Sequence, residues 1–398
     1  MEKQAQALDQ EKASNTLPIA VLAFCAFAVT TAEFVISGIL PEVAQDLGVT
    51  ISSAGQLVTA YAIGMILGGP VLTILTARLD RKRLMVGLPA VFIAGNCLAA
   101  LSPNYLVLLG ARFLSGLAVA TFFALAIVAA ASLAAVGKQA SAIAQVALGF
   151  NLAMILGAPL GTLLGQQFGW RITFVAIASM AIVGALLLIW LVRISVPPAT
   201  GPVLKELRVV KLPDFQLAVL LTAIGNAGAL MFFVYLAPIL VTESGFTPAA
   251  VPILLMAYGL GAAIGNIVGG RLSDRALFPS LIGLLILLAA VLGTFSLAAG
   301  NQLAAVFLVG VTGALAFSVI PGMQTAVLMA AQGAPALGVA LNASTFQIAA
   351  ATAAWLGGSL IEQKWGLLSL PMIGGGITLL GAGLAVVLLL RTTAGRRE

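Results

Sequence analysis

The sequence predicts an all-α membrane protein: twelve transmembrane helices in two six-helix pseudo-repeats, with both termini cytoplasmic. Three observations carry that prediction. Of 398 residues, 61% are hydrophobic and only 8% charged, against roughly 25% charge in soluble domains. Uncharged runs near the ~20 residues that cross a bilayer core recur along the whole chain. The basic residues collect in alternate loops, as membrane orientation requires. A soluble enzyme is excluded.

The elements follow in order. Residues 1–16 are polar, mixed in charge and helix-compatible. They lack the basic start and small-residue cleavage site of a signal peptide, so they read as a cytoplasmic tail. Six uncharged runs fill residues 17–193, approximately Leu17–Leu40, Ala54–Thr76, Leu84–Leu101, Tyr105–Ala131, Ala140–Leu164 and Ile172–Val192. Residues 194–213 hold Pro197, Pro198, Pro202 and Pro213 among basic residues and read as a cytoplasmic linker. Six more runs fill 214–391, approximately Phe215–Val241, Ala249–Gly270, Leu277–Ala299, Leu303–Met329, Ala336–Ile361 and Leu367–Leu390; residues 392–398 form a second cytoplasmic tail. With the N-terminus inside, all but three of the 19 Lys and Arg fall in the cytoplasm. The exceptions are Arg171 and Lys364 outside and Arg112 within a span. The halves repeat at an offset of 197: Leu17 maps to Asp214, Pro41 to Pro238 and Arg78 to Arg275. Parallel six-span repeats are a standard plan of secondary transporters, with the substrate site near mid-membrane.

What is missing narrows the chemistry. There is no histidine, which removes His-based metal sites and Ser-His-Asp triads. Cys25 and Cys97 lie in apolar runs and read as small core residues. Gly137-Lys138 is followed by Gln139, so the phosphate-cradling loop of an ATPase is absent. No metal, organic cofactor, ATP or nucleic acid is expected as a partner.

Of the 13 acidic residues, only Glu33 falls inside a span. Carboxylates in hydrocarbon are costly and usually functional. Glu33 reads either as a proton-binding group or as a permanently neutral acid bonding a neighbouring helix. Arg112 is the lone basic residue in a span. Each lies seven residues from the outer end of its run, about 10 Å deep at ~1.5 Å per residue, so a direct or water-bridged pair is allowed. Arg112 reads equally as an anchor bonded to backbone carbonyls. In the second half their equivalents are Leu230 and Val309.

At these residues the chain resembles the major facilitator superfamily over nearly its whole length. Gly270-Arg271-Leu272-Ser273-Asp274-Arg275 matches that family's G-x-L-x-D-R loop, and its first-half partner keeps Arg78 but has Thr73 for Gly and Ala77 for Asp. Arg112-Phe113-Leu114-Ser115-Gly116 resembles the R-x-x-x-G motif associated with proton coupling. Gly149, Gly157, Pro159, Gly161 and Gly165 resemble the antiporter signature, which also packs helices closely through small residues. Thr31 to Pro41 and Phe168 to Phe174 are similar to the sugar-efflux, arabinose-efflux and chloramphenicol-efflux branch of the drug:proton antiporters.

The resemblance implies proton-coupled efflux of small amphipathic drugs or sugars by alternating access, from a bacterial cytoplasmic membrane and as a monomer. Glu33 would be the protonation residue, with Arg112 its partner in coupling. Phe34, Asn151, Tyr235 and Asn342 would be the foremost substrate contacts, joined by Thr30, Phe232, Phe346 and Gln347. Arg78, Gly157, Pro159, Gly161, Gly270, Asp274 and Arg275 would serve the conformational motifs. Trp170 and Arg171 are expected to anchor the external interface. The alternatives are a proton symporter importing a small nutrient and a non-transporting membrane receptor with the same fold.

Overall fold

The structure is a computed structural model and describes residues 2–75, 81–134, 139–192, 207–331 and 335–394. The motif residue Arg78, most of the expected linker and the end of the C-terminal tail lie outside the described residues. Within them the chain is helical. In order, the helices are α1 (Glu2–Phe34), α2 (Ile36–Leu47), α3 (Ile51–Leu75), α4 (Arg81–Ala100), α5 (Tyr105–Leu133), α6 (Gln139–Leu152), α7 (Ala158–Phe168) and α8 (Trp170–Leu191). Then follow α9 (Pro213–Val234), α10 (Leu236–Thr242), α11 (Val251–Arg275), α12 (Leu277–Ala298), α13 (Gln302–Ala330), α14 (Pro335–Glu362) and α15 (Ser369–Ala394). Twelve helices among the described residues are long and apolar enough to cross a membrane.

Three expected spans are interrupted. The first, read from sequence as continuous to Leu40, breaks at Val35 between α1 and α2. The seventh breaks at Tyr235 between α9 and α10. Proline explains the second break directly. Pro238 has no N–H for the carbonyl of Val234, four residues back, and its ring crowds that oxygen; Val234 is the last residue of α9. Pro41 stands inside α2 and withholds the same bond from Ser37. In the fifth span a π-helical turn, Ala153–Gly157, joins α6 to α7. That wide turn brings Pro159 into the first turn of α7, where a missing N–H goes unfelt.

The repeat is built into the packing. α5 and α13 both have 29 residues and start 197 apart. Asn104 caps the first by accepting a bond from the Val107 N–H at 3.0 Å, and Asn301 caps the second through the Ala304 N–H at 3.1 Å. Gly64 and Gly68 of α3 press on the Phe113 and Leu117 carbonyls of α5; at the repeat-equivalent positions, Gly261 and Gly265 of α11 press on those of Gly310 and Ala314. A side chain at any of these glycines would strike a backbone oxygen. Such close approach suits membrane helices, which associate through packing of small residues rather than through the hydrophobic effect.

Two compact units result. One comprises Met1–Val35 and Gly64–Thr200, the other Ile36–Ile63 and Gly201–Glu398. The end of the first span and the start of the second, Ile36–Ile63, therefore pack with the second repeat rather than with their own. The second unit is centred on Phe215, Leu221, Leu281, Leu285, Val319 and Met323.

Two residues depart from expectation. Cys25 is buried as expected, but Cys97 is exposed. The spans are apolar all round, so periodicity does not separate a packed face from a lipid-facing one. Trp170 is only 3% exposed. Its ring meets Phe174 edge-on at 5.9 Å and lies 4.2 Å below the Arg171 guanidinium, which donates to the Ser102 carbonyl at 3.0 Å. The pair clamps the start of α8 to the α4–α5 turn, so the indole belongs to the core rather than to an interfacial belt.

Candidate functional site

In the first unit, α1, α5 and α6 assemble the expected ionisable site. Arg112 of α5 is 1% exposed, and its Nη1 donates to the Ala32 carbonyl at 2.8 Å. Ala32 immediately precedes the half-buried Glu33. The guanidinium is thus tied to the helix backbone one residue from the lone intramembrane carboxyl, in the last turn before the break at Val35. This bond realises the anchoring role that the sequence allowed, and it brings the two ionisable residues to one place. Phe34 is buried, with its ring edge-on to Phe150 of α6 at 5.7 Å; Asn151, half-buried, is the next residue of that helix.

The fifth-span glycines explain how α6 and α7 come so close to α1. Gly149 sits on the Ala23 carbonyl, Gly157 on the Thr31 side chain and Gly161 against Val35. Thr31 turns its hydroxyl back to the Phe27 carbonyl at 2.7 Å. Thr30, fully buried, makes no such bond. A π turn beside such a site is a frequent companion of function, and here it falls on the segment facing Thr31. A small apolar cavity of about 20 Å³ lies among Cys25, Val29, Pro89, Phe92, Val119 and Phe122. It has room for about one water and no polar group to hold it.

In the second unit the expected substrate residues fall into different settings. Thr222 donates to Asn342 Oδ1 at 2.7 Å, and Asn226 donates to the Thr222 carbonyl at 3.3 Å and to Met323 Sδ at 3.2 Å. This buried polar knot ties α9, α13 and α14 together with no charged residue in it. Thr222 and Met323 were not singled out in the sequence, because a threonine and a methionine in an apolar run carry no signal alone. Phe232 packs edge-on against Phe295 of α12 at 4.8 Å. Tyr235 is fully buried; its hydroxyl donates to the Ala354 carbonyl at 2.7 Å while Gly55, Gly357 and Gly358 crowd around it. Gln347 is buried and Phe346 half-buried, on α14. Gly270, Asp274 and Arg275 end α11, with both charged side chains exposed, and the turn behind them is held by Ser280 donating to the Leu272 carbonyl at 2.9 Å. Among the described residues no three His, Cys, Asp or Glu gather as metal ligands would.

Twelve apolar helices in a six-plus-six repeat, with a buried base bonded to the backbone next to a half-buried acid, fit a membrane transporter. The family model of the Major Facilitator Superfamily matches residues 22–335, and the chain belongs to that superfamily. It is 35% identical over 381 residues to the inner membrane transport protein YdhP of Escherichia coli O157:H7, covering 96% of this chain and 97% of the relative. It is 34% identical to the chloramphenicol resistance protein of Streptomyces lividans, covering 94% and 96%. Among solved structures, a bacterial homologue of the human lysosomal transporter Spinster shares the fold, with a TM-score of 0.74 at 15% identity over 94% of this chain and 95% of that one. The protein is a multi-pass plasma-membrane transporter of small molecules, from a superfamily of transporters rather than enzymes.

Proposed function

We propose that this chain exports small, neutral or weakly cationic amphipathic molecules in exchange for protons. Chloramphenicol-like drugs are the first candidates and small sugars the second. The observation that carries the reading is the buried Arg112 bonded to the Ala32 carbonyl beside Glu33. A carboxyl held next to a fixed guanidinium can exchange a proton and change the local charge as it does so. External protons would load Glu33 when it faces outward and favour substrate release; loss of the proton inward would restore substrate affinity. One charge crossing 100 mV is worth ~2.3 kcal/mol before any pH gradient is added.

The printed name of the Streptomyces lividans relative supports a drug-like cargo. The distribution of Lys and Arg supports cytoplasmic termini. Phe34 and Asn151 in the first unit and Asn342 in the second are each proposed as substrate contacts; aromatic and amide groups suit uncharged polar and aromatic partners and are poor for polyanions.

Drug tolerance and efflux in a pump-deficient bacterial host, for wild type and Glu33→Gln at matched membrane levels, test this. Wild-type protection that disappears in the variant is the expected result. Protection that survives Glu33→Gln at full pH-driven rate would reduce Glu33 to a structural acid, and uptake driven by an inward proton gradient would reverse the direction.

A further inference from the structure

We propose that the turn Leu207–Lys211, at the entry to the seventh span, binds the headgroup of an anionic phospholipid. The site goes beyond the transport reading and depends on neither its cargo nor its direction.

The local sequence is Leu207-Arg208-Val209-Val210-Lys211-Leu212, two cations spaced three apart among apolar residues. Leu207–Lys211 is a 3-10 helix, in which three residues make a turn and side chains at i and i+3 eclipse. Arg208 and Lys211 therefore stand one above the other on a single edge, and both are exposed. Val209 points the other way: it is 4% exposed and belongs to the core of the second unit, with Phe215, Ala385 and Leu388. The turn is also fixed to the span that it precedes. The Leu212 N–H donates to the Val209 carbonyl and the Gln216 N–H to the Leu212 carbonyl, both at 3.0 Å. The Gln216 side chain donates to the Val210 carbonyl at 3.0 Å, and Pro213 then opens α9. The two cations are thus held where the apolar run begins, the level at which lipid headgroups lie.

Their charge is not neutralised within the described part of the protein. Asp214, the acid in the first turn of α9, bonds Arg391 of α15 at 2.9 Å. Arg208 and Lys211 make no ion pair among the described residues. Uncompensated cations at headgroup depth attract anionic lipid. Arg208 offers a fork of N–H donors that matches a phosphodiester, and Lys211 sets a compact charge beside it. Val210 and Leu212, 39% and 43% exposed, add apolar surface next to the cations, as the start of an acyl chain requires. A zwitterionic headgroup brings its own ammonium toward the two cations and fits less well. The first repeat holds no copy of the pattern, since the offset of 197 puts Glu11 and Ser14 where Arg208 and Lys211 stand.

The test uses the full chain, purified in detergent and titrated with phosphatidylglycerol or phosphatidylcholine. Retained lipid is counted by native mass spectrometry, and the thermal midpoint is followed in parallel. Phosphatidylglycerol should bind and raise the midpoint at concentrations where phosphatidylcholine does neither. Arg208→Gln with Lys211→Gln should raise the phosphatidylglycerol concentration needed by about fivefold or more. Arg208→Lys with Lys211→Arg keeps the charge at the same two exposed positions and should retain most of the binding. Arg271→Gln with Arg275→Gln removes as much charge from the end of α11, which lies at the same end of the second unit because Phe278 shares a core with Phe215; it should bind as wild type does. An unchanged titration in the Arg208 and Lys211 glutamine variant would overturn the site. An equal loss in the Arg271 and Arg275 variant would overturn it too, since a diffuse positive surface would then suffice. Displacement of the lipid by millimolar inorganic phosphate would give the two cations to a free anion and equally overturn the lipid assignment.

Discussion

The two repeats of this protein have the same skeleton and different chemistry. α5 and α13 match in length, in the asparagine that caps them and in the glycine pairs that seat α3 and α11 on their carbonyls. Yet the position that holds the buried guanidinium of Arg112 in the first is Val309 in the second, fully buried and apolar. The fifth span carries a π turn before Pro159, while its counterpart α14 runs unbroken from Pro335 to Glu362. Close helix contact therefore constrains both halves alike, because a backbone oxygen under a glycine tolerates no side chain in either. The ionisable chemistry meets no such constraint and sits in one half.

The largest expected effect would break the shared skeleton. Gly68→Ala and Gly265→Ala each drive a methyl into a carbonyl oxygen, of Leu117 and Ala314, and backbone must shift to admit it. Overpacking of this kind costs about 1–3 kcal/mol or more, well beyond the ~1 kcal/mol that alanine recovers in helix propensity. Both variants should show clearly lower thermal stability and yield of monodisperse protein after extraction, and by similar amounts. A loss in one half alone would mean that the repeat's symmetry is one of shape and not of energy.

A smaller effect sharpens the same comparison. Asn104→Ala and Asn301→Ala each remove a helix cap and should each cost about 1 kcal/mol, read as matched falls in midpoint temperature, with transport retained in the folded fraction. The smallest tests a contact that the repeat does not share. Arg391 bonds Asp214 at 2.9 Å, with both side chains about half exposed, and Leu17 stands where the first half would need the aspartate. An exposed pair is worth about 0–1 kcal/mol and is screened by salt. Arg391→Ala should leave the midpoint nearly unchanged, with any difference vanishing at high ionic strength.

Much of this molecule was readable along the chain because its constraints are local. A run of uncharged residues either spans hydrocarbon or does not, and the run read as starting near Tyr105 does begin α5 at that residue. Glu33 and Arg112 stood out for the same reason, as costly groups in an apolar setting. The offset of 197 was visible in Pro41 and Pro238, and the glycine contacts extend it into three dimensions. Tyr235 shows the limit. The resemblance made it an expected substrate contact; that three glycines surround it and that its hydroxyl donates to the Ala354 carbonyl is visible only in the fold.

The sequence by itself determined the membrane class, the twelve spans, the six-plus-six repeat and the two ionisable residues that fall within spans, since composition and the high energy of charge in hydrocarbon settle these without any knowledge of partners. Only the tertiary structure decided that Arg112 grips the carbonyl beside Glu33, that the first span breaks at Val35, and that Ile36–Ile63 packs with the second repeat. Ser52 and Glu362 are 310 residues apart. Nothing local to a serine in an apolar run or to a carboxyl near a helix end states that they meet; that follows from which small-residue faces fit together, and fit is a property of the folded chain.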